Sequence, residues 1–518
     1  MPIRMEKDPQ QPERNEGRRR RSPNQQGGGG FSLGRVLPMI LMLVFKRPKL
    51  LVPILIIGGL WYFFFGGSSM FSAPVEEDQN FNFSLGANLD QERYDKAKVF
   101  EPLAAGKWNN TPRKVSLLQF APSRGQQGRQ GSCVGWASAY AARTILQARA
   151  TGEDPNKIRF SPAYLYNQIA LSGCQGAYML DAMKTMKTNG AVPFDQFGYD
   201  ERDCSRVPGN SLVNLGRQFQ IKGYNRLTVG GNTYTPDIDA IRQNLAQGAP
   251  VVIGMQVGGT FMSRMLGQKV WHPTSSDRTM RGFSGHAMCV IGYDDDLEGG
   301  AFQIMNSWGE RWGQRGIGWV RYGDFQDYVK EAYGLFPMGS ADEINKDRLA
   351  VEFGLLDLKT EQTIPLHPAG DIVFRSVRPI KKGDKFKILV ANTIECYVYV
   401  FGQETDGSSY VLFPYTEKHS PYCGITGTRL FPRDYSMKAD ELGATDYMAI
   451  VVSKKPLDFN ALNSNINNSR QGSYAGKIKE AIGNQRMDAK FKAGNTVMFE
   501  AESKDRNVVA TVIALDKK

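Results

Sequence analysis

The longest uninterrupted apolar run of the chain lies near its N-terminus. Positions 50–65 read LLVPILIIGGLWYFFF, and Gly66 and Gly67 extend this run without adding a charge. A membrane-spanning helix needs about 17–25 mostly apolar residues, so we predict a transmembrane helix over 50–67. A buried core helix would carry a polar face, which this run lacks. A cleaved signal peptide is the alternative, but the flank before the run is far longer than the charged region of such peptides.

The charges around this run differ on its two sides. Eleven Lys and Arg residues and four acidic residues lie within 1–49, whereas no Lys or Arg appears between the run and Arg93. Because cytoplasmic flanks are enriched in Lys and Arg, the sequence predicts a single-pass protein with a cytoplasmic N-terminus. We therefore predict a basic disordered tail over 1–49 and an extracytoplasmic tether over 68–111, with one helix from Asp90 to Val99.

The formal net charge of +12 is concentrated in that tail, and the remainder is only mildly basic. Basic residues are not interleaved with aromatic ones in the way that nucleic-acid surfaces require, so no nucleic-acid partner is expected. The aspartates at 294–296 are followed by no ligand spacing typical of a calcium loop. We expect no metal ion and no cofactor.

Helical and strand patterns alternate in the middle of the chain. A helix is predicted over 134–150 from the spacing of its apolar residues, and a second over 179–187. Buried strands are predicted over 286–293 and 301–305. The mixture indicates an α+β domain, which we place at 112–340.

Alternating apolar and polar positions dominate from about Arg348 onward. This pattern predicts a compact β-rich sandwich or barrel over 345–518. The predicted strands cover 385–391, 396–401, 410–413, 447–452, 496–502 and 507–515. An Asn- and Ser-rich stretch, 460–473, is predicted as a loop, and a helix is predicted over 474–482.

A possible nucleophile stands at the start of the first predicted helix. Cys133 follows a glycine-rich approach, QGRQGS, and directly precedes the helical pattern. A thiol at a helix N-terminus lies at the positive end of the helix dipole, which lowers its pKa. A buried, inert cysteine is the alternative interpretation.

Three further residues fit the roles that such a thiol needs. His286 begins a predicted strand next to Gly285 and has the position of a general base. The side-chain oxygen of Asn306 would accept the imidazole N–H and fix the ring. Gln127 lies six residues before Cys133, and its amide would donate to the oxyanion together with the Cys133 N–H.

These stretches, QGRQGSCVGW at 127–136, SGHAM at 284–288 and NSWGERWG at 306–313, resemble the papain-like cysteine peptidases. The departures at Gln130, Val134 and Ala177 resemble the bacterial branch of that family. The resemblance implies a two-lobe fold, with a helical lobe and a β-barrel-like lobe. It implies a thiolate–imidazolium pair formed by Cys133 and His286. It also implies substrate contacts at four residues: Gly176, Ala177, Ala287 and Trp308.

Six cysteines are present, and an extracytoplasmic location would permit disulfides. The resemblance implies a bridge between Cys174 and Cys204 in the helical lobe. Cys396 and Cys423 fall in the same domain and form a weaker candidate pair. Cys289 lies within a predicted buried strand and is expected to be a core residue.

The stretch from Cys396 to Pro414 resembles a bacterial accessory domain of unknown function. We expect this domain to bind or position a protein partner.

The resulting hypothesis is a cysteine-type endopeptidase, anchored in a bacterial inner membrane by 50–67 and acting on peptides or proteins. Its catalytic and C-terminal domains would be periplasmic or extracellular. The alternative is a papain-fold scaffold or binding subunit of a membrane complex with little or no proteolysis. A different acyl transfer on the same Cys–His pair is a further possibility.

Overall fold

The structure is a computed structural model, and it describes residues 3–8, 83–229, 234–338 and 347–518. The predicted transmembrane segment, 50–67, lies outside these residues, as do 9–49 and 68–82. Among the described residues, no helix has the length and apolar character needed to cross a membrane.

The helices of the described residues lie mostly in the first half of the peptidase-like region. They are α1 Gln91–Tyr94, α2 Cys133–Gly135, a π-helix Trp136–Arg143, α3 Thr144–Thr151, α4 Pro162–Ile169, α5 Met179–Thr188, α6 Asn210–Gly216, α7 Ile238–Ala246, α8 Gly259–Ser263, α9 Tyr322–Tyr328, α10 Phe459–Asn468 and α11 Tyr474–Ile482. Short 3₁₀ helices connect several of them.

The strands that precede the C-terminal region are β1 Ile3–Lys7, β2 Val99–Phe100, β3 Lys114–Ser116, β4 Tyr224–Arg226, β5 Thr228–Val229, β6 Thr235–Pro236, β7 Val251–Val257, β8 Val270–Trp271, β9 Ser284–Asp294, β10 Ala301–Met305, β11 Ile317–Arg321 and β12 Val329–Leu335.

The C-terminal region contributes β13 Arg348–Asp357, β14 Gln362–Ile364, β15 Leu366–Pro368, β16 Val373–Ser376, β17 Lys385–Asn392, β18 Cys396–Gln403, β19 Ser409–Phe413, β20 His419–Ser420, β21 Tyr422–Cys423, β22 Gly427–Phe431, β23 Tyr435–Ala439, β24 Thr445–Ser453, β25 Lys490–Ala493, β26 Val497–Glu502 and β27 Val508–Asp516.

The peptidase-like region consists of a helical part and a sheet part that share one core. Its sheet has the order β20-β2-β4-β12-β7-β9-β10-β11-β8, and the neighbouring strands from β4 to β11 are antiparallel. The long helical stretch that begins at Cys133 packs on β9 and β7, and its alanines and Tyr140 are buried against them. This arrangement confirms the predicted α+β fold with a helical and a sheet-built lobe.

The C-terminal region forms a β-sandwich with its own core. Two sheets enclose a layer of buried Leu, Ile, Val and Phe side chains. Their orders are β1-β23-β17-β13-β26-β25 and β15-β16-β27-β24-β18-β19. The helices α10 and α11 pack beside the second sheet around a further buried cluster. The predicted strands are confirmed to within about two residues at their ends.

The prediction of a loop over 460–473 is wrong, because 459–468 form the helix α10. The Asp458 side chain accepts a hydrogen bond from the Ala461 N–H and caps this helix. Leu462 and Ile466, four residues apart, are buried against the sheet. Two apolar residues on one face are sufficient here because packing, rather than intrinsic propensity, stabilises the helix.

The prediction of a tether over 68–111 is wrong for its described part. Residues 83–111 lie on both domains, and the helix predicted over 90–99 is limited to α1, Gln91–Tyr94. The Tyr94 hydroxyl donates to the Ala332 carbonyl at 3.0 Å from a fully buried position. The strand β2 pairs with β4 of one domain and β20 of the other.

The two domains are joined by buried polar contacts as well as by β2. The carboxylate of Glu101 accepts hydrogen bonds from the Tyr415 hydroxyl and the Arg433 N–H. The guanidinium of Arg433 forms an ion pair with Asp237, and Arg429 donates to the Glu101 carbonyl. These contacts connect the stretch around Glu101 to both domains.

The prediction of disorder over 1–49 is wrong for 3–7, which form β1 on the edge of the sandwich. β1 pairs antiparallel with β23, with Met5 opposite Met437. Glu6 forms ion pairs with Lys385 and Lys438. This pairing places β1 beside the accessory domain, whereas a single membrane crossing between them would place the two on opposite sides.

Candidate active site

Cys133 stands at the first position of the long helix. Its helix begins with α2 and continues through the π-helix to Thr151. The Ser132 side chain does not cap this helix; its hydroxyl hydrogen-bonds the Tyr199 hydroxyl at 2.6 Å instead. Tyr199 in turn donates to the Gln127 carbonyl at 2.6 Å. This chain of hydrogen bonds fixes the loop that carries the thiol.

His286 and Asn306 approach the thiol from the sheet. His286 lies near the start of β9, and Asn306 follows directly after β10, which pairs with β9. The His286 Nε2 lies 2.8 Å from the Asn306 Oδ1, so this nitrogen carries the proton and donates to the amide oxygen. The Trp308 ring stacks on the imidazole at a centroid distance of 4.4 Å. The geometry for the orienting role predicted for Asn306 is therefore present, and the Trp308 ring covers the imidazole.

The amide of Gln127 is held beside the same site. Its Oε1 accepts a hydrogen bond from the Ser307 hydroxyl at 2.7 Å, which orients the amide group. Its Nε2 donates to the carbonyl oxygens of Gln130 and Ser84, each at 3.0 Å. The Gln127 Nε2 group, which is predicted to donate to the oxyanion, is therefore already hydrogen-bonded to backbone carbonyl groups of this chain.

The thiol and the imidazole are not hydrogen-bonded to each other in this structure. Both side chains are fully buried, and the His286 Nδ1 has no hydrogen-bond partner among the described residues. Burial raises the pKa of Cys133 to about 12. Burial lowers the pKa of His286 to about 4, although the Asn306 hydrogen bond opposes this shift. Because burial disfavours the charged form of both groups, the covered site favours the neutral thiol and the neutral imidazole, and the resting thiolate–imidazolium pair stays a prediction for the open site.

A segment of the chain itself covers the site. Residues 83–89, FSLGANL, lie along the cleft between the two lobes and we call them the cleft segment. The N–H groups of Gly86 and Ala87 both donate to the Gly285 carbonyl, at 3.3 and 3.1 Å. The Gly86 N–H also points at the Cys133 sulfur, as does the Ala287 N–H at 3.4 Å.

The cleft segment pairs with the opposite wall as a strand. The Ala177 N–H donates to the Gly86 carbonyl at 2.9 Å, and the Asn88 N–H donates to the Ala177 carbonyl at 3.0 Å. This is a parallel bridge between Ala87 and Ala177. The backbone of the cleft segment therefore uses hydrogen-bonding groups on both walls.

The beginning of the cleft segment packs on the aromatic wall. The Phe83 ring stacks on Trp308 at a centroid distance of 4.4 Å. The Trp308 Nε1 donates to the Ser84 carbonyl at 3.3 Å. The segment thus contacts Trp308, the amide of Gln127 and the thiol in sequence.

Comparisons with known proteins bear on this site. Residues 119–332 match the family described as papain family cysteine protease. Residues 119–332 form a papain-family peptidase domain. All four residues of the site lie within this match.

Three similar proteins illustrate the resemblance. An uncharacterised peptidase C1-like protein of Acanthamoeba polyphaga mimivirus is 29% identical over 214 residues, 39% of this chain and 66% of that protein. Mouse (Mus musculus) cathepsin K is 27% identical over 193 residues, 37% of this chain and 53% of that protein. The crystal structure of xylellain, a cysteine protease from Xylella fastidiosa, is 22% identical with a TM-score of 0.40, covering 50% of this chain and 96% of that one. The chain spans just under two thirds of the viral protein and about half of cathepsin K.

The C-terminal sandwich also has a match. Residues 380–456, from just before β17 to just after β24, match a domain of unknown function named DUF4384. That match covers the Cys396 stretch on which the sequence-based resemblance rested.

The four residues predicted to contact substrate lie near the cleft segment, and their role in substrate binding stays a prediction. Ala177 pairs with it, and Trp308 stacks on its Phe83. A side chain at Gly176 would overlap the Gly86 carbonyl and Asn88. Ala287 lies directly opposite Gly254 in the β9–β7 pairing, one residue after the base. All four residues therefore lie at or beside the papain-family cleft.

The cysteine predictions have two outcomes. The Cys174–Cys204 disulfide is confirmed. The predicted Cys396–Cys423 disulfide is wrong in this structure, where both thiols are free. The two residues lie directly opposite each other on β18 and β21 and their thiols share a hydrogen bond. Directly opposed antiparallel residues have Cα atoms about 4.5–5.5 Å apart, which is within the disulfide range, so the thiols are free here although the backbone would permit a bridge. Cys289 is fully buried, as predicted.

Sequence reasoning missed Leu89 and Glu331. Neither belongs to a motif, and their relationship depends on strand pairing rather than on chain distance. Among the described residues, no group of three or more His, Cys, Asp or Glu side chains is placed to hold a metal ion.

Proposed function

We propose that this protein is a latent cysteine endopeptidase that hydrolyses peptide bonds through an acyl-enzyme at Cys133. The convergence of four separated residues carries the proposal. Cys133, His286, Asn306 and Gln127 meet in one cleft, and the 2.8 Å bond between His286 and Asn306 leaves Nδ1 as the free nitrogen of the ring. An unpartnered, buried ring nitrogen is available to accept the thiol proton.

The proposed reaction begins when the cleft segment leaves. Water and substrate then reach the site, and the thiol proton moves from Cys133 to the His286 Nδ1. The thiolate attacks the peptide carbonyl, and the Gln127 Nε2 and the Cys133 N–H stabilise the negative oxygen. His286 then donates the proton to the leaving amine, and Asn306 keeps the ring oriented throughout. Finally, water activated by His286 releases the acyl group and restores the thiol.

The latency follows from what the cleft segment excludes. Its Gly86 N–H lies against the Cys133 sulfur, its Ser84 carbonyl accepts from the Gln127 amide, and its Phe83 ring stacks on Trp308. The nucleophile is then neutral, because desolvation raises its pKa to about 12. Both the substrate site and the activated nucleophile are unavailable until the segment moves.

We also propose that residues 50–67 anchor the protein in a bacterial inner membrane, with both domains on the outer face. The apolar run and its asymmetric flanking charges support this location. If 50–67 cross the membrane once, β1 and β23 lie on opposite sides, so the two strands cannot pair in the anchored chain. In that case, the β1–β23 pairing of the structure belongs to a chain that is not inserted in a membrane.

The second candidate function is a scaffold or binding subunit. It is favoured by the complete burial of Cys133 under the cleft segment and by the continuity of that segment with both domains. A protein that never opens would use the papain-family domain only as a surface.

Hydrolysis of an unfolded protein separates the two candidates. The Gly86→Ala substitution displaces the cleft segment, because a β-carbon there would overlap the Gly131 carbonyl oxygen. The purified full-length Gly86→Ala chain is incubated with a denatured protein, and new termini are identified by mass spectrometry. We expect cleavage, and we expect none when Cys133→Ala is added. A Gly86→Ala protein that reacts with an epoxide thiol inhibitor at Cys133 but releases no peptide would favour the scaffold.

A further inference from the structure

A hollow in the sheet receives the last side chain of the cleft segment. Gly254 on β7 lies directly opposite Ala287 on β9, and on its other side it lies opposite Glu331 on β12. Directly opposed residues of antiparallel strands place their side chains on the same face. A glycine and an alanine in this row leave space that larger side chains would fill.

Leu89 occupies this space. A β-carbon on Gly254 would stand 2.5 Å from the Leu89 Cδ2 and 2.8 Å from the Met179 sulfur. Leu89 also lies against the position that a β-carbon on Gly285 would occupy, and Gly285 directly precedes the general base. The hollow is therefore a side-chain pocket adjoining the reactive thiol, with Met179 on its other wall.

Glu331 completes the row and brings a carboxyl group to the pocket. Its β-carbon is 3.5 Å from the position of a β-carbon on Gly254, and its side chain is only 5% exposed. The carboxyl group accepts hydrogen bonds from the Asp90 N–H at 3.2 Å and from the Tyr333 hydroxyl at 3.3 Å. Among the described residues, none forms an ion pair with Glu331. Burial raises its pKa to about 8, although the two hydrogen bonds and the positive charge of Arg226 oppose this shift.

Leu89 of the cleft segment and the residue that follows the segment, Asp90, both contact this pocket. Leu89 supplies the apolar filling, and the next residue, Asp90, supplies an N–H to the carboxyl group. A lysine or arginine side chain would supply both parts in one residue. Its methylene groups would lie over Gly254 and Met179. Its charged end would reach Glu331, favour the ionised form of that carboxyl group and form a charge-assisted hydrogen bond with it.

We infer that Glu331 makes this pocket selective for a basic side chain of the substrate. The inference rests on the proposed peptidase function and names its substrate class: peptides with lysine or arginine at the position that enters the pocket. The small residue Ala287 taken alone indicates an apolar preference. The carboxyl group two strands away changes that preference, because a lysine or arginine side chain carries its own donor and charge to Glu331, whereas a leucine side chain carries neither.

The test uses peptides that differ at one position at a time. Lysine, arginine, leucine or glutamate is placed at each position of an otherwise neutral peptide, and kcat/KM is measured for the full-length Gly86→Ala chain. We expect at least a tenfold preference for lysine or arginine over leucine at one position. In Gly86→Ala with Glu331→Gln, which removes the ionisable carboxyl group but keeps the shape, this ratio falls at least tenfold. Glu153→Gln removes an exposed carboxylate elsewhere and leaves the ratio unchanged.

Peptide binding to a variant without the nucleophile separates the pocket assignment from the proposed peptidase activity. The same peptides are titrated against full-length Gly86→Ala with Cys133→Ala, with and without Glu331→Gln. A charge-dependent preference in binding without hydrolysis by the parent chain would overturn the peptidase proposal and keep the pocket assignment. Hydrolysis with the same ratio whether or not Glu331→Gln is present, or no preference in binding, would overturn the pocket assignment alone. Absence of both binding and hydrolysis would overturn both.

Discussion

Gly86 lies against Gly131 so closely that a β-carbon on Gly86 would overlap the Gly131 carbonyl oxygen. Gly131 belongs to the rigid loop before the nucleophile, while Gly86 belongs to the cleft segment. The contact is backbone against backbone, so no side chain can move aside to relieve it. The fit of the cleft segment therefore depends on the absence of one methyl group.

This contact gives a substitution that opens the cleft without changing the catalytic residues. In Gly86→Ala, the added methyl group displaces the cleft segment, and Cys133 becomes accessible to water and to reagents. We expect the rate of Cys133 alkylation by an epoxide thiol inhibitor at pH 7 to rise at least tenfold, as followed by intact-protein mass spectrometry. Gly198→Ala is the matched control, because a β-carbon there meets no neighbour within 4 Å. Equal alkylation rates in the two variants would contradict the role of the cleft segment.

The pH dependence of alkylation provides an independent test of the closed state. Only the thiolate reacts, and a thiol whose pKa is raised to about 12 is about one part in ten thousand ionised at pH 8. We expect the alkylation rate of the unmodified chain to rise about tenfold per pH unit from pH 7 to pH 10. In Gly86→Ala, hydration allows Cys133 and His286 to exchange a proton, so the rate should level off well below pH 10. A plateau at neutral pH in the unmodified chain would contradict the described burial.

The sequence is informative about this site where a role depends on local context. Cys133 precedes a helix, and His286 and Asn306 border predicted strands, so their chemistry could be predicted from neighbouring residues. Strands of the sandwich such as β26 were predictable because buried and exposed residues alternate along them. Helix α10 was not, because Leu462 and Ile466 gain stability from a sheet that folds around other residues. The row of Gly254, Ala287 and Glu331 is visible only once three strands are paired.

The proposed oxyanion donor can be tested by replacing one atom group. Gln127→Met keeps the length of the side chain but removes the Nε2 donor, without the negative charge that a glutamate would place beside the oxyanion. In the Gly86→Ala background, we expect kcat to fall about 10²–10³-fold with a small change in KM, as for other oxyanion donors. Ser307→Ala removes only the 2.7 Å bond that orients the amide and should cause a smaller loss of kcat. A loss confined to KM would assign Gln127 to substrate binding instead.

Glu331 should make stability depend on pH. Its pKa is raised from 4.5 to about 8 in the folded chain, so the folded state binds the proton more tightly than the unfolded state. Its contribution is fully present below pH 4.5 and is lost as pH rises through 8, by at most about 5 kcal/mol. Glu331→Gln carries no titratable group at this position. We therefore expect the urea midpoint of the unmodified chain to fall relative to Glu331→Gln between pH 5 and pH 9. A constant difference across this range would show that Glu331 does not titrate in the folded protein.

The pairing of β1 with β23 tests the proposed membrane topology. Met5 lies directly opposite Met437, so cysteines at both positions would have Cα atoms about 4.5–5.5 Å apart. Because Met437 is buried, the reagent is a small oxidant, which should join the two cysteines as a disulfide when the strands are paired. We expect this cross-link in a chain from which 50–67 have been deleted, and no cross-link in the full-length chain isolated in intact membranes, since a single crossing separates the two strands. Met5→Cys with Met498→Cys is the matched control, because Met498 lies on β26, four strands along the same sheet. An efficient Met5–Met437 cross-link in intact membranes would place the N-terminal strand on the same side as both domains and would contradict a single crossing by 50–67.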